Sequence, residues 1–198
     1  MRSGIILAGG RSTRFGGGEK SLKAVGGKPM ICRVREALLP VVDEIVVSVR
    51  DERQRDMVYP YLLEGKNAFA YDELLEVGPL AGILQSLKAA RGEYVAIVAC
   101  DMPLVNTRAI GYLFEKASGH DAAVPVGPND FLEPLHAVYR REPMIRAVEQ
   151  SLHAGEHRIA APLRHLKDVV YVSFDEIKVV DPELKTFLNV NRAEDLPQ

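Results

Sequence analysis

Short apolar runs alternate along this chain with segments of helical spacing, and this alternation restricts the possible folds more than any other feature. The apolar runs of strand length cover residues 4–8, 44–49, 67–72, 94–100, 122–126, 135–139 and 169–174. Several of them are apolar throughout, as in strands that are buried on both faces of a sheet. The β-α-β-α order predicts an α/β protein with a mostly parallel sheet, helices on both faces and right-handed crossovers.

Local start signals support helices between the predicted strands. Pro29 and Pro79 stand near the first turn of two such segments, and Asn106 or Thr107 is suited to cap a third. The 198 residues are of single-domain size and contain no internal repeat or linker-like segment. We therefore predict one domain over residues 1–198.

Composition and charge exclude several classes of function. No apolar stretch approaches the ~20 residues that span a bilayer, and the apolar N-terminal run lacks a cleavage site. These features predict a cytoplasmic protein with no membrane partner. The 25 basic and 27 acidic side chains give a net charge of -2, which argues against a general nucleic-acid-binding surface. Cys32 and Cys100 are too few for a zinc site on their own, and Cys100 fits a small buried apolar residue.

The stretch "LAGGRSTRFGGGEKSL", residues 7–22, predicts a phosphate-binding loop. Gly9, Gly10 and the glycines at 16–18 let main-chain N–H groups approach an anion, and Arg14 and Lys20 add positive charge. The loop follows the first predicted strand, at the edge where open parallel sheets bind ligands. It lacks the endings of a Walker A loop and of a G-x-G-x-x-G motif, which disfavours a dinucleotide-dependent oxidoreductase.

A carboxylate directly after a buried strand is the second candidate for chemistry. Asp101 ends "YVAIVACD", where a desolvated charge needs compensation, and a divalent metal that carries a polyphosphate supplies it. The alternative is that Asp101 caps the next helix, but Asn106 and Thr107 are better placed to do so. Asn191, in "FLNVNRAEDL", is either a second group beside the metal or the N-cap of the final turn.

Five stretches together closely resemble the molybdenum cofactor guanylyltransferase family: "LAGGRSTRFGGGEKSL", "GKP", "GPLAGI", "CDMP" and "NVNRAEDL". They occur in the family's order and span about Ile5 to Leu196. The resemblance implies a Rossmann-like three-layer α/β/α nucleotidyltransferase fold. It also implies Mg²⁺-dependent transfer of GMP from GTP to the terminal phosphate of the molybdenum cofactor (molybdopterin), with release of pyrophosphate. Whether the acceptor arrives free or from a molybdenum-insertion protein stays open.

The same resemblance implies roles for individual residues. Its nucleotide contacts fall on Leu7, Ala8, Gly9, Gly10, Lys20, Ser48, Asp72 and Asp101. The main chain of the first residues contacts the nucleotide, Lys20 binds its phosphates, and Asp101 binds both GTP and Mg²⁺. Lys20, Arg14 and the Mg²⁺ on Asp101 would neutralise the charge of the leaving pyrophosphate, so we predict Lys20, Arg14 and Asp101 as the catalytic set. Three departures from the family's usual residues are Ser48 for an asparagine, Phe15 for a methionine and Glu19 for an aspartate.

Candidates for the acceptor side lie in "GPNDFLEPLHAVYRR" and "HAGEHRI": His136, Arg140, Arg141, His157 and Arg158. Arg158, in a turn that resembles the family's GE-x-R, is the preferred cation. Arg141 is better explained as a solvated strand end. His153 and His157 have the spacing of a metal pair, but Gly155 lies between them and no third ligand is evident, so we reject a zinc site.

Two alternatives remain at this level. One is a sister enzyme that transfers CMP to the same cofactor, or a nucleotide to a sugar phosphate or cobinamide phosphate. The other is a nucleotide-binding regulator without catalysis, which the joint presence of Lys20 and Asp101 disfavours.

Overall fold

A computed structural model describes residues 1–9, 19–62, 67–71 and 78–190. Its strands are β1 (Arg2–Leu7), β2 (Ala24–Val25), β3 (Lys28–Pro29), β4 (Glu44–Val49), β5 (Asn67–Tyr71), β6 (Tyr94–Ala99), β7 (Ala122–Val126), β8 (His136–Arg140) and β9 (Val169–Ser173). Its α-helices are α1 (Met30–Leu38), α2 (Glu52–Val58), α3 (Pro79–Ala89), α4 (Thr107–Ala117), α5 (Arg141–His153) and α6 (Phe174–Ile177).

The main sheet has seven strands in the order β5-β4-β1-β6-β8-β7-β9. β1 pairs in parallel with β4 and β6, β4 with β5, and β7 with β9, whereas β8 is antiparallel to both neighbours. The predicted α/β fold with a mostly parallel sheet is therefore confirmed. The predicted strands 44–49 and 122–126 match the structure, and the others differ by one or two residues at their ends.

The central strands are apolar on both faces because each face is covered by helices. Ile6 and Val98 belong to a buried cluster with residues of α1 and α4, whereas Ile5 and Ile97 belong to a cluster with residues of α3 and α5. Alternate side chains of one strand point to opposite faces. The three layers follow from this packing, and the prediction of one domain over residues 1–198 stays a prediction.

Asn106, and not Thr107, caps α4. Its side-chain oxygen accepts hydrogen bonds from the N–H groups of Arg108 at 2.9 Å and Ala109 at 3.4 Å. Asn106→Ala is expected to lower the free energy of unfolding by about 1 kcal/mol, because these N–H groups lose their acceptor. Urea unfolding measures the change. Asn106→Asp keeps the oxygen and should recover most of the loss, and an alanine variant as stable as the parent would contradict the capping role.

Candidate active site

The carboxyl ends of six strands meet at one edge of the main sheet. β1, β4, β5 and β6 are mutually parallel. β8 runs antiparallel to both β6 and β7, so β7 and its parallel neighbour β9 run in the same direction as the other four. Ligands of open α/β sheets bind at this edge. The sequence places its candidate loops directly after these strands.

Lys20 and Asp101 form an ion pair at this edge, although 81 residues separate them in the chain. Lys20 Nζ lies 2.8 Å from Asp101 Oδ2, and the two side chains are 23% and 31% exposed. Lys20 begins the 3-10 helix Lys20–Leu22, and Glu19 accepts a hydrogen bond from the Ser21 hydroxyl at 3.0 Å. The acidic residue before the lysine therefore caps the turn that presents it. The pair is open to solvent, so phosphate groups can reach both charges.

The main chain on both sides of Asp101 is held by neighbouring segments. Cys100 N donates to Leu7 O at 3.1 Å, and Val190 N donates to Asp101 O at 2.8 Å. Asp101 caps no described helix, since the α4 cap is Asn106, so the alternative capping role is wrong. Main-chain bonds to two distant segments thus position the carboxylate.

Cys100, next to Asp101, is buried at 5% exposure, as predicted. Burial raises the pKa of its thiol, with a smaller contribution from the Asp101 charge. The thiol therefore stays protonated and is not a nucleophile in this site.

The main chain after β1 lies against the end of β4. Ala8 N donates to Ser48 O at 3.0 Å, and Ser48 is only 3% exposed. A Cβ on Gly9 would lie 3.6 Å from Arg50 N. The residue beside Gly9 is thus Arg50, and the Ser48 carbonyl holds the main chain of Ala8. A nucleotide contact by Ser48 stays a prediction.

Several predicted site residues lie outside the described residues: Gly10, Arg14, Asp72 and Asn191. Two of them adjoin described positions at the site edge. Asp72 follows the end of β5, and Asn191 follows Val190, whose N–H bonds to Asp101 O. Their roles stay predictions.

A groove of about 890 Å³ lies at the same edge, beyond β7. One wall is a hairpin in which Gly127 N donates to Phe131 O at 2.7 Å. Phe131, Leu132 and Ile159 contribute apolar surface, and Arg158 contributes a positive charge. The structure therefore places the preferred acceptor-side cation in a large and mainly apolar groove.

The structure excludes three other acceptor-side candidates. His136 is fully buried, with Nε2 2.8 Å from Thr186 Oγ1, and burial lowers its pKa to about 3. Arg140 pairs with Tyr94 at the opposite edge of the sheet, and Arg141 N donates to Glu93 O there. Because β8 is antiparallel, its carboxyl end lies away from the site.

The described residues contain no group of three or more potential metal-binding His, Cys, Asp or Glu side chains. At this edge, Asp101 supplies a carboxylate beside Lys20. One carboxylate suits Mg²⁺ that is otherwise held by phosphate oxygens and water, and it does not suit an all-protein metal cage. The donor set at this edge is thus compatible with a magnesium–nucleotide complex.

A family model described as the MobA-like NTP transferase domain matches residues 4–169. The chain belongs to this family. A probable molybdenum cofactor guanylyltransferase of Methanosarcina mazei is 44% identical over 99% of this chain and 88% of that protein. A probable molybdenum cofactor guanylyltransferase of Natronomonas pharaonis is 44% identical, over 98% and 95% of the two chains. The resemblance found in the sequence is confirmed.

Solved structures support the same MobA-like fold. Molybdopterin-guanine dinucleotide biosynthesis protein A from Archaeoglobus fulgidus aligns with a TM-score of 0.79 at 30% identity, covering 98% of this chain and 94% of that one. A nucleotidyl transferase from Methanothermobacter thermautotroptrophicus aligns with a TM-score of 0.72 at 18% identity, covering 98% and 94%. The second likeness shows the fold alone.

Proposed function

We propose that this MobA-like protein transfers GMP from GTP to the terminal phosphate of the molybdenum cofactor and releases pyrophosphate. The product is molybdopterin guanine dinucleotide. The observation that carries the proposal is the Lys20–Asp101 pair at the carboxyl edge of the sheet. Relatives at 35–44% identity are named molybdenum cofactor guanylyltransferases, which favours GMP over the other nucleotides and acceptors.

The reaction requires alignment more than it requires a general base. An oxygen of the acceptor phosphate is already a nucleophile at neutral pH, and it forms a bond to the α-phosphorus of GTP. The bond from that phosphorus to the bridging oxygen breaks, and the electron pair leaves with pyrophosphate. The protein must hold donor and acceptor in line and neutralise the charge of the leaving group.

Lys20 and Asp101 have separate roles in binding GTP, the nucleotide donor. The Lys20 ammonium binds the triphosphate, and Arg14 adds a second positive charge to the loop. Asp101, with Asn191 as the second candidate, would hold Mg²⁺ against the phosphates. When bound, the ion supplies additional positive charge on the phosphate oxygens. The 2.8 Å contact between Lys20 and Asp101 keeps the ammonium in place before the nucleotide arrives.

The groove beside Arg158 suits the acceptor. Its volume of about 890 Å³ lies within the ~300–1,000 Å³ of typical small-molecule sites. The exposed ring of Phe131 offers a flat apolar surface for a pterin, and the Arg158 guanidinium offers a partner for phosphate. We therefore assign the acceptor to this groove and the nucleotide to the ends of β1, β4 and β6.

A comparison of nucleotides tests this proposal. We expect GTP with Mg²⁺ to raise the melting temperature more than CTP, ATP or UTP, because a specific ligand at about 100 to 1,000 times its Kd adds ~3–4 kcal/mol. Pyrophosphate release from GTP should then require molybdopterin as acceptor. Preference for CTP would identify a sister transferase, and GTP binding without transfer would identify a regulator.

Other expectations about cellular context stay predictions. No helix in the described parts of the chain is long and apolar enough to cross a membrane. We propose a cytoplasmic location and delivery of the acceptor by a molybdenum-insertion protein.

A further inference from the structure

Gln54 is a buried polar side chain that joins the main chain beyond β1 to the main chain beyond β4. The residue is 0% exposed. Its Nε2 donates to Ala8 O at 2.8 Å, and its Oε1 accepts from Arg50 N at 2.7 Å. Since the Arg50 N–H can only donate, the amide oxygen must face it, and the NH₂ group must face Ala8.

Gln54 lies in the first turn of α2, and the N-cap residue Asp51 fixes its main chain. Gln54 N donates to Asp51 Oδ1 at 2.7 Å, and Asp51 Oδ2 accepts from Arg50 Nε at 2.9 Å. A buried amide is costly unless both of its polar atoms are bonded. Both atoms of this amide bond to main-chain groups at the site edge, so the side chain has one favoured orientation.

This arrangement determines which way the Ala8–Gly9 peptide faces. Ala8 N is bonded to Ser48 O, and Ala8 O is bonded to Gln54 Nε2. In a trans peptide the following N–H points opposite to the carbonyl, so the Gly9 N–H points away from Gln54. It makes no hydrogen bond to another described residue. Glycine tolerates either orientation of this peptide, so the Gln54 side chain is what prevents a flip.

We propose that Gln54 is a positioning residue for base selection, because it locks the Ala8–Gly9 peptide with an N–H donor facing the nucleotide. The inference rests on the proposed function, in which the main chain of residues 7–9 contacts the nucleotide. Guanine carries an acceptor, O6, where adenine carries an N6 amino donor. A fixed N–H therefore favours guanine. A flipped peptide presents a carbonyl instead and loses this preference.

Gln54→Leu tests the lock, because leucine fills a similar volume without hydrogen bonds. Titration calorimetry of the full chain with GTP and with ATP, both in MgCl₂, gives the ratio of the two affinities. We expect GTP binding to weaken about tenfold or more while ATP binding changes little. Equal weakening of both nucleotides, or no weakening, would overturn the inference. KM for GTP should rise while KM for the acceptor stays near the parent value.

Gln54→Glu supplies a second test that does not depend on the leucine variant folding. The ionised carboxylate cannot donate to Ala8 O, whereas the protonated acid can donate to Ala8 O and accept from Arg50 N. Relative to the parent protein, the GTP/ATP affinity ratio of this variant should be low at pH 8 and recover toward pH 5. A ratio that stays at the parent value throughout, or that stays low throughout, would contradict the lock.

Asn67 offers a matched control at the other edge of the sheet. Its Nδ2 donates to Leu62 O at 2.7 Å, and its Oδ1 lies 3.4 Å from Arg35 Nε. Asn67→Ala should lower stability without changing the affinity ratio. Failure of the parent protein to prefer GTP would refute the proposed function itself. An unchanged ratio in the Gln54 variants of a GTP-selective parent would refute only the role of Gln54.

Discussion

Lys20→Ala is expected to lower kcat for guanylyl transfer by about 100- to 1,000-fold, a loss of ~3–4 kcal/mol of transition-state stabilisation. The reason is the position of the ammonium, which lies 2.8 Å from Asp101 at the carboxyl edge of the sheet. Negative charge grows on pyrophosphate as it leaves, and a fixed cation stabilises that charge. A pyrophosphate-release assay with saturating GTP measures the change.

Stability should respond far less than activity to this substitution. Both side chains of the pair are partly exposed, and such pairs contribute ~1 kcal/mol or less to folding. Lys28→Ala is the matched control, because Lys28 pairs with Glu36 at the same 2.8 Å on the surface. The control should keep parent turnover. Near-normal turnover in the Lys20 variant, with the fold intact by circular dichroism, would refute the catalytic assignment.

Asp101→Asn tests the other member of the Lys20–Asp101 pair. Asparagine keeps the shape of the side chain but loses the charge that pairs with Lys20 and would hold Mg²⁺. We expect a loss of turnover of similar size, with a shift of the Mg²⁺ dependence to higher concentration. The Lys20 variant should not show that shift. An unchanged Mg²⁺ dependence of turnover in the Asp101 variant would contradict a role of Asp101 in binding the metal.

His136 should make the protein lose stability in acid. Burial lowers the pKa of His136 to about 3, and its Nδ1 has no hydrogen-bond partner in the described parts of the chain. The unfolded chain binds a proton at this histidine below pH ~6.5, whereas the folded chain does not. The stabilising contribution is therefore complete above pH ~6.5 and declines as the pH falls toward 3.

The size of this effect follows from about 1.4 kcal/mol per pH unit between the two pKa values. From pH 7 to pH 4, His136 should remove ~3 kcal/mol from the free energy of unfolding. His136→Gln stays neutral over this range and can still bond to Thr186. Urea unfolding of both proteins at pH 7, 5.5 and 4 isolates the contribution, because other titrating groups are shared. Parallel pH curves for the two proteins would contradict the prediction.

Much of the fold was accessible from the sequence because its signals are local. Apolar runs of strand length predicted the strands at 44–49 and 122–126 with their observed ends, and Pro79 stands at the start of α3 as expected. No local sequence signal indicated that β8 runs antiparallel to its neighbours β6 and β7. Strand direction depends on the partners that a strand finds in the sheet, and those partners are distant in the chain.

The sequence by itself determined the fold class and the family, and it selected Lys20 and Asp101 as candidates, since motif order and residue type carry that information. The tertiary structure alone decided which candidates meet. It paired Lys20 with Asp101, buried His136, and placed the Gln54 side chain against the main chain of Ala8. It also placed Arg140 at the edge of the sheet opposite the candidate site. Burial and strand direction arise from contacts between distant segments, and no local pattern encodes them.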